Sequence, residues 1–387
     1  MADKTVKIGV LTTISKTMEW FVTPSMRNLA KNGYDVTLIC NMEKGFAEKN
    51  EDYAKCIHLP MSRGTSIKDL FVSIRTLRKI FRRERFDVLY YMSPNASMYA
   101  SIAGWLAGVK IRIYNQTGIR YVTLTGIKRF VFKQVEKLTC LFSTHIKAVS
   151  FKNREFAVQE KLCPKNKISV VGIGGTIGVE LEKCKSFDHT AAKQKIREKY
   201  GIAQNAFVFG YVGRVNEDKG INELIEAFLQ LEKEHENLKL MLVGMLDDAN
   251  PIREENLAIA QSNPNIVMTG NVPSEQVYAH MAAFDVLVHP TYREGFGKVL
   301  QEAMGVGIPI ITTDIPGPSE VIENNISGIL CRPKDVQDLK EKMILLFGDE
   351  ALRKSFVQAG MRRAQTYFDR PIMLENILKD MNQIVGK

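Results

Sequence analysis

The 387-residue sequence lacks the features that mark membrane-spanning, disulfide-rich and zinc-binding proteins. No apolar run approaches the ~20 residues needed to span a bilayer, and the amino-terminal stretch lacks the long apolar core of a signal peptide. The six cysteines show no C-x-x-C spacing, and the six histidines show no H-E-x-x-H spacing. These absences argue against a disulfide framework and a metal motif. We therefore expect a cytoplasmic chain that holds no metal and no cofactor.

Length and charge indicate two domains of unlike charge. A chain of this length exceeds one ordinary hydrophobic core. The formal net charge of +10 is unevenly spread, because the first 180 residues carry 29 Lys and Arg against 14 Asp and Glu, a balance of +15, and the rest carries −5. A basic half favours a polyanionic partner, either a nucleic acid or an anionic membrane surface. Nucleic acid is not predicted, since the basic stretches lack interleaved aromatics, glycine-rich RNA motifs and zinc fingers.

Apolar, β-branched runs alternate with amphipathic helical stretches along the whole chain, which is typical of parallel α/β sheets. The predicted strands of the first half are 6–11, 36–40, 88–91, 111–114, 146–149 and 168–171. Those of the second half are 207–212, 238–243, 286–289, 308–312 and 329–330. A glycine-rich and then polar segment, 172–205, separates the two series. The pattern predicts an α/β fold of two doubly wound Rossmann-like domains facing a central cleft, residues 1–185 and 186–365, with a last helical segment, 366–387.

The first candidate site follows the strand predicted at 207–212. Gly213 and Arg214 come directly after this strand, and Lys219 and Gly220 precede an amphipathic helix. Backbone amides at a helix amino terminus bind anions. An Arg guanidinium can donate two parallel hydrogen bonds to phosphate oxygens, and a Lys ammonium attracts them through its positive charge. The pattern therefore predicts a diphosphate site that needs no metal, although two solvated loop cations would give the same pattern.

The second candidate site is the segment TYREGFGKVLQEA, which follows the strand predicted at 286–289. Glu294 is predicted in a loop before a helix that starts near Gly297, and Glu302 about one turn inside that helix. A rise of ~1.5 Å per helical residue separates the two carboxylates by on the order of 10 Å. One carboxylate can then accept hydrogen bonds from a hexose and the other from a ribose, while Gly295 and Gly297 let backbone amides approach a diphosphate. Either glutamate alone would be typical of a protein surface.

The motifs G-R-x4-K-G and E-x7-E, with GFG between the glutamates, together resemble the GT-B-fold glycosyltransferases of family 4. The resemblance covers essentially the whole chain and implies a retaining transfer of a hexose or N-acetylhexosamine from a nucleotide sugar, with UDP the commoner carrier. It also implies that the last helix crosses back to the first domain. The residues implied to be catalytic are Arg214, Lys219 and Glu294. The residues implied to bind the donor are Gly213, Asn271, Val272, Glu294, Gly295, Phe296, Gly297, Lys298, Val299 and Glu302.

The amino-terminal half matches the family more loosely. The stretch VVGIGGTIGVEL resembles an interdomain loop of bacterial polysaccharide transferases, but Ile177 replaces Asn and Glu180 replaces Asp. The loop after the first strand lacks the Gly-Gly pair of many members, and the segment IYNQTGIRYVT stands where many members place a His. Our candidates for the acceptor side come from these two loops and are Ser15, Lys16, Thr17, Gln116, Thr117, Gly118 and Arg120.

Two basic amphipathic stretches, 67–85 and 127–142, are predicted to be helices that could dock on anionic lipid. Their candidate membrane contacts are Arg75, Arg78, Lys79, Arg82, Arg83, Arg129 and Lys133. Core-facing helices with solvated basic faces would give the same pattern. Because many enzymes of the resembled family extend lipid-linked sugars, we expect a polyprenyl-diphosphate-linked saccharide as acceptor. We also expect a peripheral position on the inner face of the cell membrane.

The reaction expected from the resemblance is a front-face displacement, because the sequence contains no obvious nucleophile for a covalent intermediate. Arg214 and Lys219 would stabilise the leaving diphosphate. Two alternatives stay open: a non-hydrolysing nucleotide-sugar epimerase of similar architecture, and a non-catalytic membrane-associated scaffold.

Overall fold

The computed structural model describes residues 5–61 and 67–387, and gives the backbone alone for 67–69 and 120. Two compact units make up the fold: Met1–Ile177 together with Pro371–Lys387, and Gly178–Arg370. None of the helices in the described ranges has the length and apolar content needed to cross a bilayer. Within the same ranges, no group of three or more His, Cys, Asp or Glu side chains is placed to hold a metal ion.

The first unit is built on a seven-stranded parallel sheet. Its strands are β1 (Val6–Ile14), β2 (Tyr34–Asn41), β3 (Ala54–His58), β4 (Val88–Tyr91), β5 (Ile111–Gln116), β6 (His145–Ala148) and β7 (Ile168–Val170). The spatial order is β3-β2-β1-β4-β5-β6-β7. Both faces of β1 are covered, so that Ile8, Val10 and Leu11 are fully buried, as parallel sheets require. The strand order reverses between β1 and β4, where open α/β sheets bind their ligands.

In the described part of the chain, six α-helices precede the second unit. They are α1 (Ser15–Phe21), α2 (Thr23–Lys31), α3 (Ile67–Glu84), α4 (Pro94–Ala107), α5 (Gly126–Phe142) and α6 (Phe151–Gln159). Local chemistry explains several ends: Pro94 begins α4, Gly108 ends it in the left-handed conformation, and the Ser150 hydroxyl caps α6 by accepting from the Asn153 amide.

The second unit repeats the plan with a six-stranded parallel sheet. Its strands are β8 (Phe207–Val212), β9 (Leu238–Val243), β10 (Ile266–Gly270), β11 (Val286–His289), β12 (Ile310–Thr313) and β13 (Ile329–Cys331). Its helices are α7 (Leu181–Lys185), α8 (His189–Lys199), α9 (Ile221–Glu232), α10 (Glu254–Ser262), α11 (Val277–Met281), α12 (Lys298–Val306), α13 (Pro318–Val321), α14 (Val336–Gly348) and α15 (Glu350–Arg363). The order β10-β9-β8-β11-β12-β13 reverses between β8 and β11. The two parallel sheets confirm the predicted α/β fold of two Rossmann-like domains.

The division between the units falls at Ile177 and not at residue 185, the boundary we predicted. The segment that follows belongs to the second unit because its backbone is hydrogen-bonded there. The Val179 amide donates to the Phe368 carbonyl at 2.8 Å, and the Arg370 amide donates to the Val179 carbonyl at 2.9 Å. Leu181 and Cys184 are buried, and both lie against Gly305 of α12.

The last helix, α16 (Arg370–Val385), lies in the first unit from its second residue onward. It begins later than the predicted segment, since Ala364–Phe368 form a π-helical turn that stays with the second unit. Lys147 of β6 donates to Asp380 at 2.5 Å, and Met381 is buried among the strands. An ion pair and an apolar contact therefore hold the helix on the first sheet.

Candidate functional site

The two sequence motifs of the second unit meet at the point where its strand order reverses. Strands β8 and β11 are hydrogen-bonded neighbours, and each is followed by one motif. The Tyr292 amide donates to the Asp218 carbonyl at 2.8 Å, which ties the two loops together. Gly220 has φ +69°, and a side chain there would place Cβ 2.0 Å from the Pro290 carbonyl oxygen. Only glycine allows this close approach of the two loops.

Lys219 and Glu294 form an ion pair between the two loops. Both side chains are largely buried, and the second carboxylate oxygen of Glu294 accepts from the Gly295 amide at 3.0 Å. The Lys219 amide donates to the Asn216 side chain at 3.1 Å, which fixes the turn that carries the ammonium. Burial favours the protonated acid, but the Lys219 ammonium outweighs it and holds the pKa of Glu294 well below its usual range. Glu294 is therefore a carboxylate at neutral pH and acts as a hydrogen-bond acceptor.

His289, the last residue of β11, lies beneath this pair and was missed by our sequence reasoning. Its side chain is buried, its Nε2 lies 3.6 Å from Glu294 Oε2, and its ring stacks on that of Tyr211 with centroids 5.7 Å apart. Neither ring nitrogen has a hydrogen-bond partner within the described part of the chain. Burial lowers the pKa of His289, so the ring is neutral at pH 7. The one available signal was a polar residue that ends the apolar strand VLVH.

Arg214 follows β8 and pairs with Asp247, a second residue that the motifs did not reveal. The guanidinium is 60% exposed and the Asp247 side chain is largely buried. The Asn216 side-chain amide nitrogen also donates to Asp247, at 2.9 Å. That hydrogen bond and the Arg214 charge lower the pKa of Asp247 despite its partial burial. Asp247 thus holds the arginine at the carboxyl end of the sheet.

The glycine loop after β11 leads into α12 as the sequence predicted. Gly297 caps the helix in the left-handed conformation at φ +89°, which side chains disfavour. Glu302 lies in the second turn and pairs with Lys298 at 2.9 Å. Phe296 is buried and packs edge to face on Phe368, so it can contact a ligand through its backbone only. Val299 is half-buried.

Asn271 and Val272 follow the edge strand β10, two strands away from β8. With neighbouring strands ~4.8 Å apart, they lie on the order of 10 Å along the same edge of the sheet from the loop of Arg214. Asn271 is exposed and Val272 is half-buried. The structure thus brings Gly213, Arg214, Lys219 and Glu294 together and places these two residues at a distance.

Three of the seven acceptor-side candidates of the first unit have side-chain partners within that unit. Ser15 is buried and accepts from the Glu43 amide at 3.1 Å, and Lys16 pairs with the Glu43 carboxylate at 3.4 Å. Gln116, at the end of β5, is fully buried and donates to Glu136 at 2.6 Å, which turns its side chain inward. Thr17, Thr117 and Gly118 are half-buried, and the Arg120 side chain lies outside the described residues.

The structure adds Ser93 to the acceptor-side candidates of the first unit. This residue follows β4, next to β1 at the reversal of the first sheet, and has φ +71°, a costly conformation for a residue with a side chain. Its hydroxyl accepts from the Thr13 amide at 3.1 Å and lies 2.9 Å from the Thr13 hydroxyl. The two hydroxyls hold the carboxyl ends of β1 and β4 together.

The candidate membrane cations divide into two groups. On α3, Arg75, Lys79 and Arg82 are exposed, Arg83 pairs with Glu84, and Arg78 donates to the Leu106 carbonyl at 3.2 Å. On α5, Arg129 and Lys133 both pair with Glu160, at 3.4 and 2.7 Å. Arg129 and Lys133 therefore stabilise the contact of α5 with Glu160.

Comparison with known proteins agrees with the fold and the motifs. A family model described as Glycosyltransferase Family 4 matches residues 18–174, and one described as Glycosyl transferases group 1 matches residues 192–363. The capsular polysaccharide biosynthesis glycosyltransferase CapM of Staphylococcus aureus is 32% identical over 97% of this chain and 96% of its own length. The N,N'-diacetylbacillosaminyl-diphospho-undecaprenol alpha-1,3-N-acetylgalactosaminyltransferase of Campylobacter jejuni is 25% identical over 98% of this chain and 99% of its own.

A solved structure extends the likeness to the whole architecture. HepE of Anabaena, crystallised in complex with UDP-glucose, has a TM-score of 0.77 at 18% identity and covers 97% of this chain and 99% of its own. At that identity the match concerns the fold alone. Because the S. aureus relative matches nearly end to end and the two family models cover both units, the chain belongs to the GT-B glycosyltransferases of the family 4 type.

Proposed function

We propose that this glycosyltransferase moves a hexose or N-acetylhexosamine from a UDP-sugar to a polyprenyl-diphosphate-linked saccharide, with retention of configuration and without a metal ion. One observation carries the proposal: three ion pairs, each of a cation with a carboxylate, lie at the carboxyl edge of the second sheet, where its strand order reverses. The name of the C. jejuni relative supplies the class of acceptor, and the UDP-glucose bound to HepE supplies the class of donor.

The donor would lie along this edge. Arg214 and Lys219 would bind the diphosphate, with Gly213 allowing its close approach, and the ionised Glu294 would accept hydrogen bonds from the sugar hydroxyls. Glu302 would accept from the ribose. The remaining contacts would come from backbone groups of Gly295–Val299 and, at the base, from Asn271 and Val272. The ~10 Å between the loop of Arg214 and that of Asn271 is compatible with the length of a nucleoside diphosphate.

The chemical step follows from the charges of the site. As the bond from the anomeric carbon to the diphosphate breaks, negative charge grows on the leaving oxygen and Arg214 and Lys219 stabilise it. The acceptor hydroxyl forms its bond on the same face of the sugar and passes its proton to that leaving oxygen. Glu294 takes no part as an acid, because its pKa keeps it ionised. The site residues thus position the donor and neutralise the charge of the leaving diphosphate. The products are the extended saccharide and a UDP that carries the proton of the acceptor hydroxyl.

Donor binding would also rearrange the ion pairs of the site. Lys219 contacts Glu294 and Arg214 contacts Asp247. Diphosphate oxygens would replace these carboxylates as partners of the cations. The sugar hydroxyls would then take up the hydrogen-bonding capacity released on Glu294.

The first unit would provide the acceptor side and the contact with the membrane. Its acceptor-side candidates are found at the ends of β1 and β5, and exposed cations of α3 such as Arg75 and Lys79 can attract anionic lipid. With a lipid-linked acceptor, the enzyme would work as a peripheral protein on the inner face of the cell membrane.

A nucleotide-release assay tests the proposal. Purified enzyme is incubated with a panel of UDP- and GDP-sugars, with and without a polyprenyl-diphosphate-linked saccharide, in the presence and absence of EDTA. We expect UDP release that depends on the acceptor and is unchanged by EDTA, and an anomeric NMR signal that shows retention. An epimerised sugar formed from donor alone would contradict the proposal and favour the epimerase alternative.

A further inference from the structure

Helix α5 exposes apolar side chains along one line of its surface. Ile127 and Phe130 are 83% and 64% exposed, and Val131, Leu138 and Leu141 are exposed as well. At 3.6 residues per turn these five side chains fall within an arc of about 100°. We call them the α5 apolar stripe. A surface helix normally buries its apolar stripe against the core. Because the α5 apolar stripe is exposed instead, it is available as a binding surface.

At the carboxyl-terminal end of α5, the stripe continues onto the neighbouring helix α4. Trp105 of α4 is 54% exposed and its ring lies 5.1 Å from that of Phe142, the last residue of α5. Leu106 is exposed beside it. Helix α4, Pro94–Ala107, contains no charged residue. A tryptophan next to exposed leucines is typical of segments that lie at a membrane–water interface.

The charges around the stripe are of one sign. Lys128 and Lys137 are exposed on its two flanks. The one acid of the helix, Glu136, is buried and accepts hydrogen bonds from Tyr114 and Gln116 inside the unit. A second copy of the chain would bring like charges against these lysines, whereas an anionic bilayer is complementary to both the lysines and the stripe.

We infer that the α5 apolar stripe inserts into the interfacial layer of an anionic lipid bilayer. The helix lies in the plane of the membrane over a length of about 25 Å, with Lys128 and Lys137 at the headgroups and Trp105 at the boundary. The inference deepens the proposed function, on which it rests for the lipid-linked acceptor. It also differs from contact through Arg129 and Lys133, since these pair with Glu160.

Vesicle flotation tests the insertion directly. The full chain is floated with phosphatidylcholine vesicles that contain about one third phosphatidylglycerol, and with pure phosphatidylcholine. The variant Ile127→Ser/Phe130→Ser/Leu141→Ser should partition onto the anionic vesicles at least about tenfold less than wild type. Ile326→Ser, which changes an equally apolar and 55% exposed residue of the second unit, should bind like wild type. Unchanged binding of the triple variant, or absence of wild-type binding, would overturn the inference.

Trp105 provides a second and independent measurement. The chain has two tryptophans, so Trp20→Phe leaves Trp105 as the only one. On addition of anionic vesicles its emission should shift to the blue and be quenched by brominated acyl chains. An emission that neither shifts nor is quenched on vesicles that carry the protein would place the stripe outside the bilayer and contradict the inference.

Two controls separate insertion from other causes. Circular dichroism and thermal unfolding must match between wild type and the triple variant. Sedimentation without lipid tests whether a second copy of the chain covers the stripe instead. If wild type forms a dimer, the triple variant does not, and neither binds vesicles, the stripe would be assigned to self-association.

Nucleotide release by the triple variant connects insertion with activity. With a short-chain, water-soluble acceptor the triple variant should release nucleotide like wild type, and with a vesicle-bound acceptor its release should be slower. Failure of wild type to use any donor would refute the proposed function and leave the flotation result standing.

Discussion

At the residue scale, the charged groups proposed to hold the donor are paired with one another or with near neighbours. Arg214 contacts Asp247, Lys219 contacts Glu294, and Lys298 contacts Glu302. Only the last pair could be anticipated, because its members are four positions apart on a helix. The other two span 33 and 75 positions in sequence. Such pairs depend on which strands become neighbours, and a single sequence carries no local signal for that.

The exposed guanidinium of Arg214 is the group whose removal is expected to change the reaction most selectively. Arg214→Ala should lower turnover about 10²- to 10³-fold, the usual cost of losing one preorganised group that stabilises developing charge. Unfolding should be nearly unchanged, because a surface ion pair contributes about 1 kcal/mol or less. The rate of UDP release and the thermal midpoint measure the two effects. Arg332→Ala, at a 71% exposed arginine of the same unit, serves as the matched control. Equal rates for the two variants would remove Arg214 from the mechanism.

Glu294 is expected to give a pH-dependent contribution to stability. Its pKa in the folded chain lies below the unfolded value of about 4.3, so its stabilisation is fully present above that pH and disappears as the pH falls through the folded pKa. Glu294→Gln should therefore be less stable than wild type at pH 7, and the difference should shrink below about pH 4. Denaturant midpoints across this range measure it. A constant difference at all pH values would show that the charge of Glu294 is not its source.

At the scale of elements, the interior strands and the apolar edge strands β7 and β13 were predictable, whereas the other two edge strands were not. The cores of β8, β9 and β11 appear in the sequence as uninterrupted apolar runs because both faces are covered. The edge strands β3 and β10 were missed, since each is partly exposed and includes polar residues such as Lys55 and Thr269. The omission matters for the site, as β10 carries the loop of Asn271. Helix α5 shows a similar limit: its extent was predicted, but not which of its cations would pair with Glu160.

The last helix should depend on one partly buried ion pair. Lys147 is 9% exposed and Asp380 is 26% exposed, and Lys147 also contacts the Ser169 hydroxyl at 2.9 Å. Asp380→Ala leaves the ammonium without its carboxylate and should lower the free energy of unfolding by about 3 kcal/mol. Glu375→Ala removes the exposed pair of Glu375 with Lys379 on the same helix and should cost below about 1 kcal/mol. Urea unfolding compares the two; equal losses would mean that Asp380 does not hold the helix.

At the scale of the whole molecule, the uneven charge of the chain should make membrane binding depend on salt. In the proposed membrane contact, the basic first half would attract anionic lipid over a distance that falls from about 10 Å at 0.1 M salt to about 3 Å at 1 M. The apolar contribution of the α5 apolar stripe is not screened in this way. Flotation with anionic vesicles should therefore weaken severalfold between these salt concentrations and retain a residual fraction. Complete loss at 1 M salt would mean that charge alone holds the protein at the membrane.

The carboxylates that occupy the site also bear on how a reaction cycle ends. In the proposed cycle, Glu294 and Asp247 compete with UDP for the same cations once the sugar has left. The fold holds both carboxylates next to the cations, so their effective concentration there is high. Re-formation of the Lys219–Glu294 and Arg214–Asp247 pairs therefore favours the release of UDP. With its ion pairs formed, the site is moreover close to electrically neutral and should have little affinity for inorganic phosphate. Removing either acid should then make the enzyme more sensitive to inhibition by its own nucleotide product.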